Sequence, residues 1–231
     1  MTILYDNISY NRRMLLDLPF REGIGIVTQD VAKPHHPITM VNTPTWAALD
    51  SGKMTINLNG TNEYLQCLSA SCTDLDFTSG DFSIGGWLNW TVDEFSQIVI
   101  ARYELSVSGW ELYLYNSGAT NLLTLRLHHA AGATTRTGAY SDGWTPGTLW
   151  HFGVTRSGTS ALFYRNGEPV TTVSDVLIDP ETCNQNLVIG CRYTVDSNFY
   201  SGPFPRLIVA DEALTAEDWK SMYKNQVGLA S

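Results

Sequence analysis

The chain has 231 residues and a formal net charge of −9, with 43% hydrophobic and 11% aromatic residues. This composition supplies a sizeable core and suits a strand-rich fold. It argues against a nucleic-acid partner, because no run of Lys and Arg offers counterion release, and no apolar run is long enough to cross a bilayer.

Residues 1–13 carry Ile3, Leu4, Tyr5, Ile8 and Tyr10 without a period. The segment lacks an apolar stretch followed by small residues, so it does not read as a secretory signal. Synthesis in a cytosol is expected. We read it as an N-terminal arm preceding a single domain over 14–231. Tyr5, Ile8, Tyr10, Arg12 and Arg13 are its candidate partner-binding residues. The apolar ones can be buried beside a partner's sheet edge, and the adjacent arginines can meet an acidic surface. A frayed end is the alternative.

Residues 14–20 read as a first strand, stopped near Pro19. Residues 22–37 form a loop rich in Gly and Pro, and 38–41 a short strand. Residues 55–58 and 64–68 read as a hairpin around Asn59-Gly60, a pair suited to tight turns. In 82–90, Phe82, Ile84, Gly86 and Leu88 share one face, and Ser83, Trp87 and Asn89 the other. Gly85 and Gly86 leave room for a neighbouring sheet's side chains, or for a bend.

Residues 97–102 are a strand. Trp110, Leu112 and Leu114 then alternate with Glu111, Tyr113 and Tyr115; Leu123, Leu125 and Leu127 alternate with Thr124, Arg126 and His128. Residues 130–138 read as a small-residue loop carrying Arg136. The clearest pattern is a three-stranded meander over 150–173. Trp150, Phe152 and Val154 alternate with His151, Gly153 and Thr155; a polar turn follows, then 161–165, Asn166-Gly167 and a returning strand over 170–173. After a last strand at 207–210, Thr215 is a helix N-cap with Asp218 three residues on. Leu214 and Trp219 are placed for a hydrophobic staple, and Trp219, Met222 and Tyr223 share one helical face.

Four segments carry a family resemblance. Residues 149–170 resemble the W-H-x-h-x-x-T-x-x-G-x-x-x-h-Y-x-N-G signature of laminin-G-like domains of the concanavalin A-like superfamily. Asp81-Phe82-Ser83-Ile84-Gly85-Gly86-Trp87 resembles its d-F-T-I-x-x-W strand, Leu187-Val188-Ile189-Gly190 its l-x-I-G strand, and residues 211–223 its closing A-L-s-x-e-E segment. The resemblance covers roughly residues 14 to 225 and implies an all-β, two-sheet antiparallel jelly-roll sandwich with a short C-terminal helix. It says less about function, because folds host many activities.

The resemblance also implies candidate sites. Related domains hold calcium at the sandwich rim with hard oxygen ligands, and Asp30 and Asn59 match such positions. The usual G-x-I-D-D-h stretch, however, reads Gly202-Pro203-Phe204-Pro205-Arg206-Leu207, without its carboxylates. Glycosidases of the superfamily aim alternating carboxylates into one cleft. The nearest pairs, Asp74/Asp76 and Asp211/Glu212, lack a third partner on a strand, so no catalytic residue is assigned. His35-His36 and His128-His129 are adjacent pairs that strand geometry splits between faces, leaving no chelate. For Cys67, Cys72, Cys183 and Cys191, free buried thiols come first, ahead of disulfides and then zinc. Sugar binding needs an aromatic platform beside polar groups; Tyr113, Tyr115, Trp90, Tyr103, Tyr193 and Tyr200 are the candidates, with no cluster selected.

The reading is a non-enzymatic binding or structural protein with no cofactor unless calcium is held. Single laminin-G-like domains without a signal peptide resemble phage virion proteins, which implies a capsid decoration or tail adhesin on a virion surface. Its expected partners are other virion proteins, further copies of itself in an assembly, and a cell-surface glycan. A carbohydrate-binding module or polysaccharide hydrolase is the alternative.

Overall fold

The computed structural model describes residues 9–92, 96–116, 118, 120–139 and 143–229. The chain opens with β1 (Met14–Leu18), β2 (Val27–Gln29), β3 (Pro37–Val41), β4 (Thr45–Ala48), β5 (Met54–Asn59) and β6 (Tyr64–Cys67). Longer strands follow: β7 (Phe82–Leu88), β8 (Ser96–Glu104), β9 (Ser108–Asn116), β10 (Asn121–His128), β11 (Thr134–Ala139), β12 (Trp150–Ser157) and β13 (Ser160–Arg165). The short β14 (Glu168–Val170), β15 (Thr172–Ser174), β16 (Leu187–Ile189), β17 (Ser201–Phe204) and β18 (Arg206–Ala210) lead to helix α1 (Ala216–Gln226).

Two antiparallel sheets face each other. One is six-stranded, in the order β1-β18-β7-β12-β13-β14; the other is nine-stranded, β15-β11-β10-β9-β8-β16-β6-β3-β2. A small sheet, β17-β5-β4, accompanies them. The alternation read from sequence decides what lies between the large sheets. Phe82, Ile84, Leu88, Phe152 and Val154 meet Trp110, Leu112, Leu114, Leu123, Leu125 and Leu127 in one buried cluster. This is the jelly-roll sandwich expected from the sequence, with its single helix at the end.

The meander holds as β12-β13-β14. Asn166 and Gly167 both have positive φ, 51° and 79°, as its two-residue turn requires. The returning strand is shorter than expected. Val170 ends β14 in one sheet, and Thr172 begins β15 in the other. Residues 170–173 are therefore a crossover.

Two other expectations are corrected. Residues 55–58 and 64–68 are not a hairpin: β5 joins the small sheet and β6 the nine-stranded one. The Asn59 side chain widens the connection, its Oδ1 accepting from the backbone N–H of Thr61, Asn62 and Glu63 at 2.8, 3.1 and 3.3 Å. The loop expected over 130–138 is mostly strand. β11 pairs with β10 from Leu123↔Ala139 to His128↔Thr134. Its residues alternate Thr with Arg136 and Gly138, a polar pattern that conceals a strand whose partner supplies the apolar face.

Helix α1 lies on the outer face of the six-stranded sheet, against β7 and β12. Gly85 and Gly153 are cross-strand partners, and a Cβ on either would stand 2.3 or 2.7 Å from the Trp219 ring. The room at Gly85 is thus for the helix and not for another sheet. Trp219 fills the hole, fully buried, and its indole Nε1 donates to Thr155 Oγ1 at 2.9 Å. The Thr215 hydroxyl accepts from Asp218 N at 3.2 Å, while Asp218 Oδ2 accepts from Thr215 N at 3.0 Å, a reciprocal cap. Thr215→Ala is expected to cost about 0.5–2 kcal/mol, read as a lower urea midpoint; an unchanged midpoint would show that the cap contributes nothing.

The 3-10 turn Ser9–Arg13 packs on the domain ahead of β1. Tyr10 is buried with Met14, Tyr164, Ile208 and Trp219. Arg13 Nε lies 3.3 and 3.4 Å from carboxylate oxygens of Asp211 and Glu212. The last five residues of the expected arm are therefore engaged with the domain, and Tyr10 is not presented to a partner. Tyr5 and Ile8 lie outside the described residues.

Candidate functional site

The outward face of the nine-stranded sheet carries the residues that alternate with the core. Across β9, β10 and β11 they fall into rows. Glu111, Arg126 and Arg136 form one row, Tyr113, Thr124 and Gly138 the next, and Tyr115 and Leu122 a third. The middle row falls from a tyrosine to a threonine to a glycine. Its low side sits between two taller rows, and a cleft of about 530 Å³ results. Asp175 closes one wall. Its Oδ2 accepts from Arg136 N at 3.1 Å, and its own N–H donates to Arg136 O at 2.9 Å.

A buried network fixes the floor. Glu111, fully buried, accepts from Arg126 Nε at 2.5 Å and also pairs with its Nη2. This fork holds the Arg126 guanidinium 4.9 Å from the centre of the Tyr113 ring, a cation–π contact strengthened by partial desolvation. Tyr113 and Tyr115 meet edge to face at 6.5 Å. On the other side of Glu111, His128 Nδ1 accepts from Ser106 N at 3.0 Å. Its proton is therefore on Nε2, which donates to Glu111 at 3.1 Å. Burial lowers the His128 pKa despite that carboxylate, so the ring is held neutral, stacked on Tyr103 at 4.8 Å.

The result is a preorganised surface: aromatic edges, three threonines at Thr124, Thr134 and Thr137, an exposed guanidinium at Arg136 and, among the described residues, one carboxylate at Asp175. Such a mixture of apolar faces with a few convergent polar groups is what small polar ligands use.

A model of the concanavalin A-like lectin/glucanases superfamily, of the laminin-G type, matches residues 47–218. The chain belongs to this superfamily. No curated protein matches this concanavalin A-like chain by sequence. Among solved structures, it is similar to the botulinum neurotoxin serotype D binding domain, with 14% identity and a TM-score of 0.70 over 95% of this chain and 53% of that one. The binding domain of Paraclostridial Mosquitocidal Protein 1 gives 13% identity and a TM-score of 0.71, over 94% and 53%. The serotype D ligand binding domain in complex with N-acetylneuraminic acid gives 14% and 0.71, over 95% and 52%. The chain thus spans about half the length of each, and at these identities the likeness establishes the fold.

Of the aromatic candidates read from sequence, this concanavalin A-like fold brings Tyr113 and Tyr115 to the cleft. Trp90 and Tyr200 are in the core, and Tyr103 is buried beneath Tyr193, 4.8 Å away. Gly138 and Asp175 carry no signal in the sequence; only the Thr124-Arg126-His128 alternation marks their row, because the polar pattern of β11 resembles a loop.

The expected calcium ligands are internal acceptors instead. Asp30 is 5% exposed, and its Oδ1 accepts from Asp17 N and Ala32 N, both at 2.9 Å. Its Oδ2 accepts from His36 N at 2.9 Å and from His36 Nδ1 at 2.8 Å. Four donors occupy the lone pairs a cation would need. Asn59 Oδ1 is likewise committed to its loop. The nearest carboxylate pairs serve structure. Asp74 accepts from His36 Nε2 at 2.9 Å and Asp76 from Cys183 N at 3.0 Å, while Asp211 and Glu212 face Arg13. The four cysteines are free and buried.

Proposed function

We propose that the chain is a non-enzymatic binding module whose ligand is a glycan lying across Tyr113, Thr124 and Gly138. The observation that carries this reading is the cleft itself, cut into a rigid sheet face by a descending row of side chains and floored by a tyrosine locked under Arg126. Membership of a lectin and glucanase superfamily supports it. So does the similarly folded ligand binding domain in complex with N-acetylneuraminic acid.

Binding is favoured over hydrolysis by the carboxylates. Glycoside hydrolysis uses two, about 5–9.5 Å apart across the scissile bond. Among the described residues lining the cleft, Asp175 is the only one. Glu111 lies beneath, neutralised by Arg126. On a virion surface, the setting the family resemblance implies, such a module would serve as an adhesin; its detection in purified phage particles tests that setting.

A glycan array with the full chain, followed by calorimetry on its hits, tests the site. Gly138→Val raises the low end of the row at a position without positive φ, and is expected to abolish binding while the protein stays folded. Tyr115→Ala and Arg136→Ala are each expected to weaken it about tenfold, the size of one aromatic or charge-assisted contact. Undiminished binding by Gly138→Val would place the ligand elsewhere, and release of reducing sugar would overturn the non-enzymatic reading.

A further inference from the structure

The chain has 14 Lys and Arg against 23 Asp and Glu, so a place where cations gather without carboxylates is unusual in it. One exists away from the sheet-face cleft. A second cleft, of about 370 Å³, is lined by Pro19, Arg21, Lys53, Met54, Pro205 and Arg206. Among the described residues, three basic side chains and no acidic one line it, and they come from three separate connections: the one after β1, the β4–β5 turn, and the β17–β18 junction.

Two of the three cations are held in place. Arg206 donates through Nε and Nη2 to the two oxygens of Asp17, at 3.0 and 2.7 Å. Asp17 is fully buried, whereas Arg206 keeps 16% of its side chain exposed. One edge of its guanidinium is thereby fixed and the remainder turned outward. Lys53 Nζ donates to the Gly228 carbonyl at 2.6 Å, which steers the ammonium, and it makes no ion pair with a carboxylate among the described residues. Arg21 is exposed and makes no ion pair with any described residue. The two prolines and Met54 wall the cleft with apolar surface, which strengthens the field of the charges inside it.

We propose that this cleft binds a single phosphate or sulfate group. Arg21 and Lys53 repel one another across the cleft, Arg206 adding less because Asp17 offsets its charge, and an anion relieves that repulsion. A tetrahedral oxyanion also presents oxygens in several directions, matching donors that arrive from three chain segments, whereas a planar carboxylate matches a single guanidinium fork. The site shares no lining residue with the glycan cleft, so each reading can fail alone.

The test uses the full chain, labelled with ¹⁵N and titrated with inorganic phosphate, sulfate and acetate at ionic strength held constant with chloride. Phosphate and sulfate are expected to give saturable shifts in the amides around Arg21, Lys53 and Arg206, with those around Tyr113 unmoved and acetate weaker. Arg21→Gln is expected to reduce affinity about tenfold, as loss of one charge-assisted contact does, and Arg21→Gln with Lys53→Gln to remove it. Arg206 is left untouched because its pair with Asp17 ties β1 to β18. Shifts that never saturate, that acetate reproduces, or that survive the double variant would overturn the proposal. Two further arms, a sulfated disaccharide and vesicles containing a phosphoinositide, assign the source. Tighter binding by one of them than by the inorganic ion supports the site; failure of both, with no saturation by the ions, overturns it.

Discussion

Trp219→Ala is expected to destabilise the protein by about 3–5 kcal/mol, the range for removing a large buried aromatic. The indole is the part of helix α1 that enters the sheet. It sits where Gly85 and Gly153 pair across β7 and β12, and it contacts Tyr164 and His151 with ring centres 5.7 and 6.2 Å away. Its loss leaves a cavity that two glycines cannot fill. It also strips a donor from Thr155 Oγ1, which itself donates to Leu214 O at 3.1 Å just before the helix. The reverse change has a comparable effect. A Cβ at Gly153 would stand 2.7 Å from the indole, and one at Gly85 also 2.8 Å from Phe152 O, so Gly153→Val should lift the helix away. Combining Gly153→Ala with Trp219→Ala should be less damaging than the sum of the two, because each relieves the other's fault. Urea unfolding of the four variants, Gly153→Ala alone included, measures these effects. A loss below about 1 kcal/mol for Trp219→Ala would mean that the helix is not docked through this residue. The proposed glycan binding should be unaffected wherever the variants stay folded, since the cleft lies on the other sheet.

This docking was partly legible in the sequence. Thr215, Asp218, Leu214 and Trp219 announce a capped helix because caps and staples are local, set by residues three to five positions apart. The partner of Trp219 was not legible, since nothing local says that Gly85 and Gly153 will lie side by side. The same division holds at the cleft. Alternation placed Tyr113 and Tyr115 on one face of β9 and Thr124 and Arg126 on one face of β10, but register decides which meet. The strand that completes the cleft, β11, has no apolar face to betray it. The crossovers at Asn59 and Thr171 are hidden for a related reason. An Asn-Gly pair or a short β-branched run fits a hairpin locally, and only the competition for sheet edges sends the next strand to the opposite sheet.

Buried histidines are expected to pull the pH dependence of stability in opposite directions, His151 towards loss in acid and His36 towards loss in alkali. His151 lies between Trp87 and Tyr223, with ring centres 5.3 and 5.7 Å away, and its Nδ1 is buried without a hydrogen-bond partner among the described residues. Burial, then the charge of Arg206, depresses its pKa from 6.5 to about 3. Between those values the unfolded chain binds a proton that the folded one refuses. The His151 contribution is therefore full above pH 6.5 and is lost as the pH falls, at up to about 1.4 kcal/mol per unit, or about 3 kcal/mol by pH 4. His128, whose pKa is also lowered by burial, acts in the same direction. His36 does the opposite. Burial disfavours its charge, but hydrogen bonds to Asp30 and Asp74 outweigh that and raise its pKa to about 9. The folded state then holds the extra proton, so this contribution is complete below pH 6.5 and fades as the pH rises through 9. Urea midpoints from pH 4 to 9.5 should trace both limbs. His151→Phe keeps an aromatic ring in the box and removes the titration; it should flatten much of the acid limb, leaving the part due to His128, and leave the alkaline limb unchanged. His36→Gln should flatten the alkaline limb, with a smaller change on the acid side where Asp74 loses the partner that lowers its pKa, and at some cost in overall stability from the broken bridge. An acid limb as steep in His151→Phe as in the parent would show that the buried imidazole is not its source.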